Sequence, residues 1–100
     1  MTKPYTNYEN GLKEALKNPI EAAEYLNESL ESGQQDVFLM ALKDVANARG
    51  FTQIAQDTSL NRENLYRILS EKGNPQLSSL KNILDSLGLK LTVEPQLAVA

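Results

Sequence analysis

Residues 52–74, TQIAQDTSLNRENLYRILSEKGN, confine the fold more tightly than any other stretch of this 100-residue chain. Two short helical patterns stand in it with only Thr58-Ser59-Leu60 between them, which leaves room for nothing but a turn. Thr52 offers an N-cap to the first helix and Asn61 to the second. A side-chain oxygen at either place accepts from an amide that the first helical turn leaves unpaired. Ile54 and Ala55 are expected to be buried. On the second helix, steps of about 100° per residue from an inward Leu65 put Ile68, Leu69 and Asn61 on the same side, and Glu63 and Arg67 opposite.

The spacing of small and apolar residues sharpens this into a helix-turn-helix. Counted from Phe51, Ala55 is fifth, Leu60 tenth, Leu65 fifteenth and Ile68 eighteenth. Ala55 is small where the two helices approach, Leu60 plugs the turn, and Leu65 with Ile68 anchors the second helix so that its start can enter a major groove. The ninth place, where glycine would supply positive φ, holds Ser59, which costs on the order of 1 kcal/mol if that conformation is retained.

The outward face then carries Arg62, Glu63, Asn64, Tyr66 and Arg67. Arg matches the two acceptors of guanine, Asn the donor and acceptor of adenine, and Glu the donor of cytosine. The same residues also admit plainer readings. Glu63 and Arg67, four apart, form a favourable surface pair, and Tyr66 packs with its hydroxyl in water. Lys72, beside Gly73, suits a helix C-terminus with no ligand present.

With 41% hydrophobic and 23% charged residues, 100 residues bury one core and not two. Cys and His are absent, which removes disulfides, thiolate metal sites and the commonest general base. A hydrolase would have to hold a metal on Glu21, Glu24, Glu28 and Glu31. Their helical spacing is that of a solvated face, so neither enzyme nor cofactor nor metal is expected. No apolar run approaches the roughly 20 residues of a membrane span, and MTKPYTNYEN lacks the core of a signal peptide, which predicts a cytoplasmic protein.

The net charge of −3, with a pI near 4.9, opposes binding to a polyanion, but the charge is unevenly placed. Residues 1–48 carry four Lys against eight Asp or Glu, whereas residues 49–100 carry six Lys or Arg against five Asp or Glu. A second half that meets DNA and an acidic first half that meets a basic protein would fit this split. An acidic surface that only aids solubility fits it too.

The remaining elements read as helices around this motif. Asn18-Pro19 opens one, with Ala22, Ala23, Leu26 and Leu30 as its buried stripe and Gly33 as its stop. Gly11 to Lys17, with Leu12 and Leu16, fits helix or extended chain. Asp36 introduces another helix, with Val37, Phe38, Ala41, Leu42 and Val45 on one side and Gly50 at its end. Beyond the Gly73-Asn74-Pro75 loop, Leu77, Leu80, Ile83, Leu84 and Leu87 form an apolar face ended by Gly88. Leu89 to Val93 alternates like a short strand, which could fold back on the N-terminal segment or pair with its own copy across a two-fold axis. Gln96 to Ala100 carries no packing signal. The fold predicted is an all-α, compact helical domain with a short C-terminal strand. Residues 1–50 supply helices of that same domain, residues 51–88 its helix-turn-helix, and residues 89–100 the strand and tail.

GFTQIAQDTSLNRENLYRILSEKGNPQLSSLKNILDSLGLKLTV resembles the helix-turn-helix of the phage-repressor-like superfamily. ALKDVANARG, LYRILSEKGNP and LDSLGLKL are similar to pieces of the addiction-module antidote proteins, HigA-like antitoxins, and the likeness extends through NPIEAAEYLNESLE over residues 9–95. The resemblance implies an antitoxin that neutralises a RelE/HigB-like ribonuclease toxin and represses its own operon as a homodimer on double-stranded operator DNA. By position it implies base reading at Arg62, Glu63, Asn64 and Arg67, and phosphate contacts from Asn61, Lys72 and Gln53. The chain departs from the superfamily where Thr52-Gln53 runs straight into Ile54-Ala55, which shortens that helix by about half a turn. Two alternatives are a stand-alone helix-turn-helix repressor and an interaction module of the same fold that no longer binds DNA.

Overall fold

A computed structural model describes residues 4–70 and 72–97, and the end of the tail beyond Leu97 lies outside the described residues. It is helical throughout: α1 (Pro4–Leu16), α2 (Pro19–Glu31), α3 (Gln35–Arg49), α4 (Phe51–Thr58), α5 (Arg62–Ile68) and α6 (Leu77–Ser86). The first three helices pack on one another, α4 packs on α3, and α5 and α6 both pack on α4. One apolar cluster runs from Leu16 to Leu87 through all six helices.

Local signals set most of the helix ends. Asn18 Oδ1 accepts from the Ile20 amide at 2.8 Å and Pro19 takes the first helical position. Gly33 at φ 72° stops α2, Gly50 at φ 102° stops α3, and Gly88 at φ 77° follows α6. The open question of residues 11–17 is decided for helix. Leu16 is buried, with Leu12 packed against the core.

Several faces differ from those read along the chain. On α2, Ala22 and Leu26 are buried as expected, but Ala23 is half-buried and Leu30 is 51% exposed. Ser29 takes the inward place, its hydroxyl donating to the Leu26 carbonyl at 2.6 Å, which removes the cost of burying it. The stripe turns this way because α2 is covered by α1 and α3. The α3 helix meets three neighbours, so it buries Leu39, Ala46 and Ala48 in addition to Phe38, Ala41, Leu42 and Val45, while Val37 is half-buried. On α6, Ile83, Leu84 and Leu87 are buried, Leu80 is half-buried and Leu77 is 65% exposed.

Two expectations are overturned. Thr52 does not cap α4. That helix starts at Phe51, with Gly50 as N-cap and no side-chain capping bond, because Gly50 ends α3 and begins α4 in one residue. The short C-terminal strand over Leu89 to Val93 does not form among the described residues. Helices satisfy their own backbone groups and offer no edge for a ladder. Leu89 still packs on the core, its amide donating to the Leu84 carbonyl at 2.8 Å, whereas Val93 is 99% exposed.

Candidate nucleic-acid interface

Helices α4 and α5 and the residues between them are held together by a few identifiable contacts. Ile54 and Leu65 are fully buried, and Ala55, Leu60 and Ile68 are half-buried against the same core. Thr58 closes α4. Its hydroxyl donates to the Ile54 carbonyl at 2.7 Å and accepts from the Leu60 amide at 3.2 Å, while the Asn82 amide donates to its carbonyl at 3.0 Å. The chain then reverses at Ser59, whose φ of 62° and ψ of 18° place it in the left-handed region. It is the one non-glycine with positive φ among the described residues.

Left-handed backbone costs a residue with a Cβ about 1–2 kcal/mol, whereas glycine pays mainly the larger entropy of its unfolded chain. Ser59→Gly is therefore expected to stabilise the protein by about 0.5–1 kcal/mol, read as a higher midpoint in thermal unfolding. A lower midpoint would mean that the serine hydroxyl contributes more than the backbone strain costs.

Asn61 caps α5 as its position predicts, its Oδ1 accepting from the Asn64 amide at 2.7 Å. That bond uses its acceptor and leaves the Nδ2 donor for any phosphate. Across the two helices the rings of Phe51 and Tyr66 lie 4.5 Å apart with planes inclined by 32°. Tyr66 is thus a clamp between α4 and α5, with part of its ring still in water.

Arg62, Glu63 and Arg67 are exposed and Asn64 is half-buried. The Arg67 guanidinium does not pair with Glu63. It donates from Nη2 to Asn64 Oδ1 at 2.8 Å, three residues back on the same face. The carboxylate of Glu63 makes no ion pair among the described residues. Asn64, Arg67 and Lys72 meet at one open depression of about 510 Å³ between α5 and the start of α6, which Gln76 and Ser79 also line.

The chain reaches α6 across Gly73, where a Cβ would collide with the carbonyl oxygens of Ile68 and Ser70. The Gln35 amide secures this loop by donating to the Gly73 carbonyl at 2.8 Å. Gln76 and Ser79 were not legible as neighbours of Lys72. The nearest sign is the position of Gln76 just after Pro75, where a helix restarts.

Gln53 stands apart from this group. It is exposed on α4 and donates from Nε2 to Asp57 Oδ1 at 3.0 Å, so the amide that a phosphate would need is engaged beside a carboxylate. The row of Glu21, Glu24, Glu28 and Glu31 is exposed along α2. No group of three or more Asp or Glu side chains that could hold a metal ion occurs among the described residues. No helix among them is long and apolar enough to cross a membrane.

The sequence model of one family, described as "Probable addiction module antidote protein", matches residues 7–95. The chain belongs to this family. Membership implies a toxin as partner. An uncharacterised protein of Haemophilus influenzae is 38% identical to the chain over 81 residues, a span that covers 81% of this chain and 84% of that protein. No solved structure matches the chain. The family match takes in every helix from α2 to α6 and most of α1, so it spans both the candidate interface and the acidic α2.

Proposed function

We propose that this antidote is a DNA-binding antitoxin of the HigA-like kind, acting in the cytoplasm. It binds its own operator as a dimer through residues 51–88, a phage-repressor-like helix-turn-helix, and neutralises a RelE/HigB-like ribonuclease toxin. The observation that carries the DNA reading is the α4–α5 pair itself. A left-handed Ser59 and a capping Asn61 hold α5 against the core, while Arg62, Glu63 and Asn64 in its first turn and Arg67 in its last line its outward side. In that arrangement α5 is the recognition helix and those four residues read bases.

Asn61, through Nδ2, and Lys72 contact phosphates at the edge of the same face. Gln53 contributes to phosphate binding only after it leaves Asp57. The charge on this face is modest, Arg62, Arg67 and Lys72 against Glu63, so affinity depends on a second copy engaging the other half-site.

Selection of duplexes from a random DNA pool tests the reading. An enriched inverted repeat with half-sites about one helical turn apart, roughly 34–36 Å, is the expected outcome. Lys72→Ala is expected to weaken binding to all sequences about equally and to lower the salt dependence by about one phosphate. The net charge of −3 favours a second reading, an interaction module of the same fold with no DNA partner. Absence of any enrichment at low salt would establish it in place of the first.

A further inference from the structure

An open apolar groove lies away from α5. Ile20, Ala23 and Leu30 on α2, with Leu84 on α6 and Leu91 in the extended segment, line this groove of about 440 Å³. A second depression of about 380 Å³ adjoins it, with Leu30, Phe38 and Leu91 lining both. Ile20 is 71% exposed and Leu30 51%. Large aliphatic side chains left in water along one groove are a feature of contact surfaces.

The helix that forms one wall of this groove is strongly and singly charged. On α2, Glu21, Glu24, Glu28 and Glu31 are all exposed, and the helix contains no Lys or Arg. Among the described residues none of these four carboxylates makes an ion pair or a side-chain hydrogen bond, the one ion pair there being Lys17 with Glu14 at 3.1 Å. Glu24 follows Ile20 by four residues and Glu31 follows Asn27 by four, so each stands one turn on and about 40° round the helix from a residue that lines the groove, at its edge. An apolar floor with an unneutralised anionic edge complements a polypeptide segment that presents apolar side chains flanked by Lys or Arg.

We propose that the toxin docks in this groove, seating apolar side chains against Ile20, Leu30 and Leu91 and setting Lys or Arg opposite Glu24 and Glu31. The inference rests on the antitoxin reading and gives it a location. The position also leaves α5 free. The α2 helix packs on α1 and α3, whereas α5 packs on α4, so toxin and operator approach different parts of the molecule.

The test is binding of the toxin encoded in the same module to the full chain and to two variants, Leu30→Ser and the charge reversal Glu24→Lys with Glu31→Lys. All three positions are exposed, and thermal unfolding confirms that each variant folds. Leu30→Ser is expected to weaken toxin binding about tenfold or more. The reversal is expected to slow association and to abolish the dependence of its rate on salt.

Variants that bind the toxin as the parent chain does would overturn the proposal while leaving the antitoxin reading intact. A parent chain that does not bind the toxin at any salt concentration would instead overturn that reading. If Leu30→Ser converts a dimer to a monomer in sedimentation without changing toxin affinity, the groove belongs to a second copy of this chain and the proposal is wrong.

Discussion

Leu42→Ala is expected to destabilise the protein by about 2–5 kcal/mol. Leu42 is fully buried near the middle of α3, the helix that packs on α1, α2 and α4. Truncation there removes the transfer free energy of the lost carbons and leaves a cavity whose walls belong to separate helices. Those walls cannot close together without moving the helices, so the upper part of the range applies.

A domain of this size has about 5–15 kcal/mol of stability in all. At about 4–8 °C of midpoint per kcal/mol, thermal unfolding followed by circular dichroism should fall by at least about 8 °C. Leu77→Ala, at an apolar position of similar appearance in the sequence but 65% exposed, is expected to stay within about 0.5 kcal/mol of the parent. Equal losses at the two positions would mean that the core is not where the structure puts it.

Arg67→Ala is expected to cost about 1–3 kcal/mol of operator binding, between about fivefold and 150-fold, and to relax the preference at a single base position. The expectation depends on the DNA reading proposed above. Its detail comes from the bond between Arg67 Nη2 and Asn64 Oδ1, which holds both side chains toward the same depression. Two readers that orient one another should not act independently. The double variant with Asn64→Ala is therefore expected to lose less than the sum of the singles, by about 0.5–3 kcal/mol. The measurement is binding of each variant to the selected operator and to its single-base substitutions. A uniform loss on every sequence would remove Arg67 from the set of readers and leave it a phosphate contact like Lys72.

The helix boundaries were largely legible in the chain because their causes are local. Asn18 and Asn61 cap from within three residues of the amides they satisfy, and Gly33, Gly50 and Gly88 end their helices through their own φ. Ser59 stands at the ninth place of the motif, where glycine usually supplies positive φ, and it keeps that conformation.

Where the causes lie in neighbouring helices, the sequence was silent or misleading. Leu30 and Leu77 fit their apolar stripes, yet no helix covers them, whereas Ser29 lies under the helices that cover α2. The alternation of Leu89 to Val93 has the period of a strand, but pairing needs an edge that a helical neighbourhood does not supply. The same division holds in the candidate interface. The residue types on α5 were evident from the order of the chain. The partnering of Arg67 with Asn64, the engagement of Gln53 by Asp57 and the meeting of Lys72 with both at one depression depended on side-chain geometry and on the loop through Gly73.

Sequence by itself thus determined most of the places where helices start, stop and turn, the start of α4 and the state of residues 11–17 excepted, because those choices are made by groups within one helical turn of each other. Which face of each helix is covered, and which polar side chains reach one another, only the tertiary structure decided, because those outcomes depend on groups far apart in the chain.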